Sequence, residues 1–108
     1  MNLEDQAHMQ ALDPENMLGH IDALADQIER AWAHAQASPL PETHRAPRQI
    51  VLTGMGGSAI GGDLTAALLA ATSPVPFQVV RAYDLPAWVR GPDTLVIASS
   101  HSGNTEET

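Results

Sequence analysis

The chain has 108 residues, 44% of them apolar, and its 13 acidic residues against 5 arginines give a formal net charge of -8. It contains no cysteine, which excludes a disulfide framework and any thiolate metal site. The acidic balance argues against nonspecific nucleic-acid binding, which requires clustered cations. No apolar run approaches the roughly 20 residues of a membrane span, and the N-terminal residues do not resemble a signal peptide. We therefore expect a cytoplasmic protein with no nucleic-acid or membrane partner.

Residues 1–44 form the first predicted region, an acidic helix followed by a linker. A helix is predicted over residues 14–37, because Asp13 suits an N-cap, Pro14 suits the first helical position and apolar residues recur at steps of three and four. Three prolines in residues 38–48 forbid a continuing helix and indicate a linker. The apolar stripe of the helix consists of Met17, Leu18, Ile21, Leu24, Ala25, Ile28, Ala31, Trp32 and Ala35.

Residues 45–108 form the second region, and their pattern is that of a parallel α/β sheet. Short apolar segments predict strands at residues 49–53, 77–81 and 94–99. Residues 59–71 predict the helix that joins the first two strands. Strands that are apolar throughout imply cover on both faces. We therefore expect a three-layer, Rossmann-like α/β sandwich.

This sandwich is expected to be incomplete. Three strands with one full crossover helix leave a sheet edge and part of a face uncovered. The simplest explanation is that the chain is the N-terminal part of a longer protein. Completion of the domain by a partner chain is the alternative.

The first candidate site is the glycine-rich bend TGMGGSAIGGD at residues 53–63, which follows the first strand. Its glycines permit a tight turn, and the next helix offers unpaired N–H groups and the positive end of its dipole. Gly56, Gly57 and Ser58 are therefore candidates to contact an anion. A phosphate loop of the Walker type is excluded because the chain has no lysine. A plain strand-to-helix turn is the alternative.

The second candidate site is the bend SSHSGNTEET at residues 99–108, after the third strand. Open α/β sheets bind ligands at the carboxyl ends of their strands. Hydroxyl groups and main-chain amides can hold a phosphate there without Lys or Arg, so Ser100, Ser102 and Thr105 are candidate phosphate ligands. Glu106 and its neighbour at position 107 would repel a phosphate, and we expect them to point away. A helix cap with spare serines is the alternative.

Together the two bends resemble the sugar isomerase (SIS) domain family of phosphosugar-binding α/β domains. The segment SHSGNT at residues 100–105 is similar to that family's S-x-S-G-x-T phosphate loop. The segments GMGGS at residues 54–58 and SGNTEET at residues 102–108 most resemble the N-terminal part of the bifunctional phosphoglucose/phosphomannose isomerases. His101 departs from that subgroup, where tyrosine is common.

By position, the resemblance implies substrate contacts for Gly56, Gly57, Ser58, Ser100, Ser102 and Thr105. It implies a phosphorylated hexose as the ligand, and a parent enzyme that interconverts glucose 6-phosphate or mannose 6-phosphate with fructose 6-phosphate. The acid–base residues of this family come later in the chain, so no catalytic residue, metal or cofactor is expected here. SIS proteins commonly complete their sites across a dimer, which makes a homodimer an expectation.

Two other functions fit parts of the sequence. One is a non-catalytic, phosphosugar-sensing SIS module of a transcription regulator, although residues 1–44 show no helix-turn-helix pattern. The other is a dinucleotide-binding oxidoreductase domain, because residues 54–59 fit the G-x-G-x-x-G/A fingerprint. The acidic residue that this fingerprint requires about 20 residues further on is poorly matched.

The chain by itself is expected to be catalytically inert, because the resemblance places the acid–base residues outside it. The purified chain should give no turnover when it is incubated with fructose 6-phosphate and the aldose phosphates are assayed. Measurable isomerisation would contradict this expectation.

Overall fold

The computed structural model describes residues 4–106 and 108, and the chain divides into two compact units. The first unit ends at Pro39, and the second runs from Leu40 to Thr108. The division into domains after residue 44 stays a prediction. Within the described residues, no helix reaches the length and hydropathy that a membrane span requires.

The first unit contains three helices, namely α1 (Gln6–Leu12), α2 (Met17–Asp22) and α3 (Leu24–Ala37). The prediction of one helix over residues 14–37 is therefore wrong at its start and at Ala23. The interruption at Ala23 is slight, because the Ala23 N–H still donates to the Gly19 carbonyl, four residues earlier, at 3.0 Å.

The later start of α2 has a local cause at Asp13 and Asn16. The Asp13 carboxylate accepts hydrogen bonds from the N–H groups of Leu18, at 2.8 Å, and Met17, at 2.7 Å. These two donors stabilise the charged carboxylate and lower the pKa of Asp13. Asn16 has a left-handed φ of 53°, so the helix cannot extend back to Pro14.

The second unit contains β1 (Gln49–Gly54), α4 (Gly56–Leu69), β2 (Phe77–Val80) and β3 (Thr94–Ser99), preceded by a short 3-10 turn at Glu42–His44. The predicted strands agree with the observed ones to within one residue at each end. The predicted start of the helix is wrong by three residues, because the glycines after β1 form its first turn.

The three strands form one parallel sheet in the order β2-β1-β3. From β1 the chain passes through α4 to β2 on one side, and it then returns to place β3 on the other side. The strand order therefore reverses beside β1. In open α/β sheets the crevice outside the carboxyl ends of the strands at such a reversal is the usual ligand site. This is the incomplete parallel α/β sheet that the sequence predicts.

Helix α4 packs on β1 and β2 through its smallest residues. Ala59 and Gly62 are its buried residues. A Cβ atom on Gly62 would lie 2.9 Å from Leu52 Cδ2 and 3.0 Å from Val79 Cγ2. The glycine therefore sets how closely the helix can approach the sheet.

The larger apolar residues of α4 lie on a different face of the helix. Ile60, Leu64 and Leu68 are 55%, 69% and 78% exposed. On the opposite face of the sheet, Gln49 Nε2 donates to the carbonyl of Trp88 in the β2–β3 connection at 3.5 Å and to the Thr94 hydroxyl at the start of β3 at 2.7 Å. Val51, on the same face as Gln49, is fully buried.

Substitution of Gly62 by Val should lower the free energy of unfolding by roughly 1–3 kcal/mol, since the added methyl groups overpack the helix–sheet contact. Gly61 is the matched control, because a Cβ there meets nothing within 4 Å. Gly61→Val should change the stability by less than about 0.5 kcal/mol. Urea unfolding of both variants measures the difference, and equal stabilities would contradict this account of the packing.

Candidate functional site

The two predicted bends meet at the carboxyl ends of β1 and β3. Gly54 and Ser99, the last residues of these strands, are partners in the strand register. A Cβ atom on Gly54 would lie only 2.8 Å from the Ser99 carbonyl oxygen. The close approach of the two strand ends therefore requires glycine at position 54.

Ser58, in the first turn of α4, joins the bends through two hydrogen bonds. The Ser99 hydroxyl donates to the Ser58 carbonyl oxygen at 3.2 Å. The His101 N–H donates to the Ser58 Oγ atom, also at 3.2 Å. The sequence analysis missed the role of Ser99 and of the His101 main chain, because these contacts cross more than 40 residues of chain.

The second bend gathers its three predicted hydroxyl groups. The Oγ atoms of Ser100 and Ser102 each lie 3.3 Å from the Thr105 hydroxyl oxygen. Ser100 Oγ also accepts the Gly103 N–H at 3.0 Å, and Ser102 Oγ accepts the Asn104 N–H at 3.2 Å. Gly103 has a left-handed φ of 66°, which glycine adopts without strain. The bend thus presents three hydroxyl oxygens as one cluster.

The first bend contributes the start of α4. Gly56, with a left-handed φ of 51°, opens the helix directly after Met55. The Ser58 N–H already donates to the Met55 carbonyl at 3.1 Å, so Ser58 offers a ligand its hydroxyl rather than its amide. An α-helix has no internal acceptors for its first N–H groups. Gly56 and Gly57 therefore supply the main-chain donors of this bend.

Charged side chains have little part in the two bends. Arg81, directly after β2, pairs with Asp63 of α4, and its NH1 atom lies 3.3 Å from Asp63 Oδ1. A sheet that binds NAD would place an acidic residue near this position for the ribose, so the arginine counts against an NAD site. Glu106 is exposed, and Glu107 lies outside the described residues. No group of three potential metal ligands is found in the described part of the chain.

One polar atom at the end of the second bend has no hydrogen-bond partner among the described residues. The Thr108 hydroxyl oxygen is enclosed and makes no hydrogen bond to any residue that the structure describes. Its main-chain N–H donates to the Thr105 carbonyl at 3.2 Å, which places Thr108 one turn beyond the hydroxyl cluster.

Three curated proteins, each named bifunctional phosphoglucose/phosphomannose isomerase, are similar in sequence to this chain. That of Caldicellulosiruptor bescii is 44% identical over 85 residues, which are 79% of this chain and 25% of the relative. That of Thermoplasma acidophilum is 46% identical over 59 residues, or 55% of this chain and 18% of the relative. That of Thermoplasma volcanium is 43% identical over 60 residues, or 56% and 18% respectively.

These matches confirm the resemblance to bifunctional phosphoglucose/phosphomannose isomerases that the two bends indicated. The chain spans a quarter or less of the length of these relatives. No protein-family profile and no solved structure matches it. The narrower assignment to the SIS domain stays a prediction.

Substitution of Gly54 by Ala should push the ends of β1 and β3 apart, because the new methyl group would overlap the Ser99 carbonyl. We expect a loss of roughly 1–3 kcal/mol in the free energy of unfolding and faster hydrogen exchange of the His101 amide. Gly57→Ala is the control, since a Cβ there meets nothing within 4 Å. Normal His101 protection in Gly54→Ala would contradict the proposed contact.

Proposed function

We propose that this chain, a close sequence relative of bifunctional phosphoglucose/phosphomannose isomerases, binds the phosphate group of a hexose phosphate between its two bends. The observation that supports this most directly is the hydrogen bond from the His101 N–H to Ser58 Oγ. It brings the start of α4 beside the hydroxyl cluster of Ser100, Ser102 and Thr105. Both bends lie at the carboxyl ends of neighbouring parallel strands.

The donors of this site suit a phosphate. Ser58 Oγ accepts from His101, so its own proton is free to be donated to a ligand. The hydroxyl–hydroxyl distances of 3.3 Å within the cluster are long for O–H···O hydrogen bonds. Such bonds are readily exchanged for shorter, charge-assisted ones to phosphate oxygens. The first-turn amides of α4 and the helix dipole add further favourable interactions with the anion.

The neutral character of these donors matters in a chain with a net charge of -8. A phosphate dianion approaching this protein meets an unfavourable overall field. Fixed dipoles and hydroxyl groups at the bends offset that repulsion locally without recruiting an arginine. The site therefore selects a phosphate ester by the geometry of its donors.

We further propose that the parent protein interconverts glucose 6-phosphate or mannose 6-phosphate with fructose 6-phosphate, and the names of the relatives support this. In an aldose–ketose isomerisation the sugar ring opens, a base removes the proton on C2, and a proton is returned to C1 through an enediol. The role proposed for this chain is to hold the phosphate and so fix where C1 and C2 lie. It supplies no acid–base residue. We expect the protein to act in the cytoplasm, and to form a homodimer.

Ser102→Ala and Thr105→Ala should each weaken fructose 6-phosphate binding by about tenfold, the effect of losing one hydrogen bond to a charged group. Isothermal titration of the purified chain measures the affinity. Ser73→Ala is the matched control, because Ser73 also makes hydroxyl hydrogen bonds in a turn, to Val75, but lies beyond the C-terminal end of α4. Unchanged affinity in both site variants would remove the second bend from the site.

Thermal shifts of the chain with fructose 6-phosphate and with NADH separate the alternative functions. Stabilisation by NADH and not by fructose 6-phosphate would favour the dinucleotide-binding oxidoreductase domain. Binding of fructose 6-phosphate by a parent protein that shows no isomerase activity would favour the phosphosugar-sensing module.

A further inference from the structure

We infer that Ser99 is a positioning residue for the phosphate site, an inference that rests on the proposed function. Ser99 is the last residue of β3, and it is half-buried between β1 and the start of α4. The resemblance assigns no role to it. Its position in the structure connects the two groups of phosphate donors.

The Ser99 hydroxyl donates its hydrogen bond within the protein and not to a ligand. A serine hydroxyl has one proton to donate. In Ser99 this proton is directed to the Ser58 carbonyl oxygen, at 3.2 Å. Ser99 therefore acts on the phosphate only through the placement of Ser58.

Ser58 is held at two points by the segment that begins at Ser99. Its carbonyl accepts from the Ser99 hydroxyl, and its Oγ atom accepts from the His101 N–H. Together these bonds fix both the main chain and the side chain of Ser58 against the second bend. Loss of the Ser99 hydroxyl would leave only the bond from His101, and the first turn of α4 could then shift relative to the hydroxyl cluster.

A displacement of this kind matters because the proposed phosphate takes donors from both bends at once. The amides of Gly56 and Gly57 move with Ser58, since all three belong to the first turn of α4. The hydroxyls of the second bend follow β3. A small shift between the two sets lengthens several phosphate hydrogen bonds together, so the affinity should be sensitive to Ser99.

Thr94 provides a matched control on the same strand. It lies at the opposite end of β3, where its hydroxyl donates to the Arg90 carbonyl at 2.8 Å and accepts from Gln49 at 2.7 Å. A Thr94→Val variant removes a hydroxyl group that, like that of Ser99, donates to a main-chain carbonyl. It changes no residue of either bend. It separates a general loss of stability from a specific loss of positioning.

The experiment measures fructose 6-phosphate affinity by isothermal titration for the wild-type chain, Ser99→Ala, Ser99→Thr and Thr94→Val. We expect the Kd to rise about tenfold in Ser99→Ala, to return to within about threefold of wild type in Ser99→Thr, and to stay unchanged in Thr94→Val. The NMR amide resonances of Ser58 and His101 in the ligand-free chain should shift in Ser99→Ala alone.

An unchanged Kd in Ser99→Ala, alongside normal wild-type binding, would overturn the inference and leave the proposed function intact. An equal loss in Thr94→Val would also overturn it, since Ser99 would then contribute only stability. If the wild-type chain fails to bind fructose 6-phosphate, the proposed function fails. In that case shifted Ser58 and His101 resonances in Ser99→Ala support a positioning role within the bends, and unshifted ones overturn it.

Discussion

The close approach of two strand ends is the constraint on which the candidate site depends. Gly54 and Ser99 face each other so closely that a single methyl group would not fit between them. This approach lets Ser58 hydrogen-bond to the segment that follows β3. Without it, a helix start and a serine-rich bend would be two unrelated surface features, each with an ordinary structural explanation.

The glycines of helix α4 have two structural roles. At its start, glycines allow a left-handed residue and leave main-chain N–H groups available to an anion. In its middle, Gly62 allows the helix to lie directly on Leu52 and Val79. Glycine weakens a helix by roughly 1 kcal/mol relative to alanine. In α4 the close contact between Gly62 and the sheet offsets that cost.

The proposed site binds an anion in an acidic chain by using neutral donors. Arg81, directly after β2, is already paired with Asp63 of α4. Recognition would therefore rest on the positions of hydroxyl and amide groups, which must be correct to a few tenths of an ångström to form short hydrogen bonds. The contacts of Gly54 and Ser99 matter for the proposed site, because they set the distance between the two sets of donors.

The sequence by itself determined the strands, the glycine and serine bends and the similarity to the isomerases, because these follow from short local patterns. It did not locate the starts of α2 and α4 or the interruption at Ala23, since these depend on individual backbone angles and on local hydrogen bonds such as those that Asp13 accepts at the start of α2. Only the tertiary structure decided the strand order β2-β1-β3 and the contact of Gly54 with Ser99. Both features arise because segments that are distant in the chain pair with each other, and no local sequence pattern encodes such pairing.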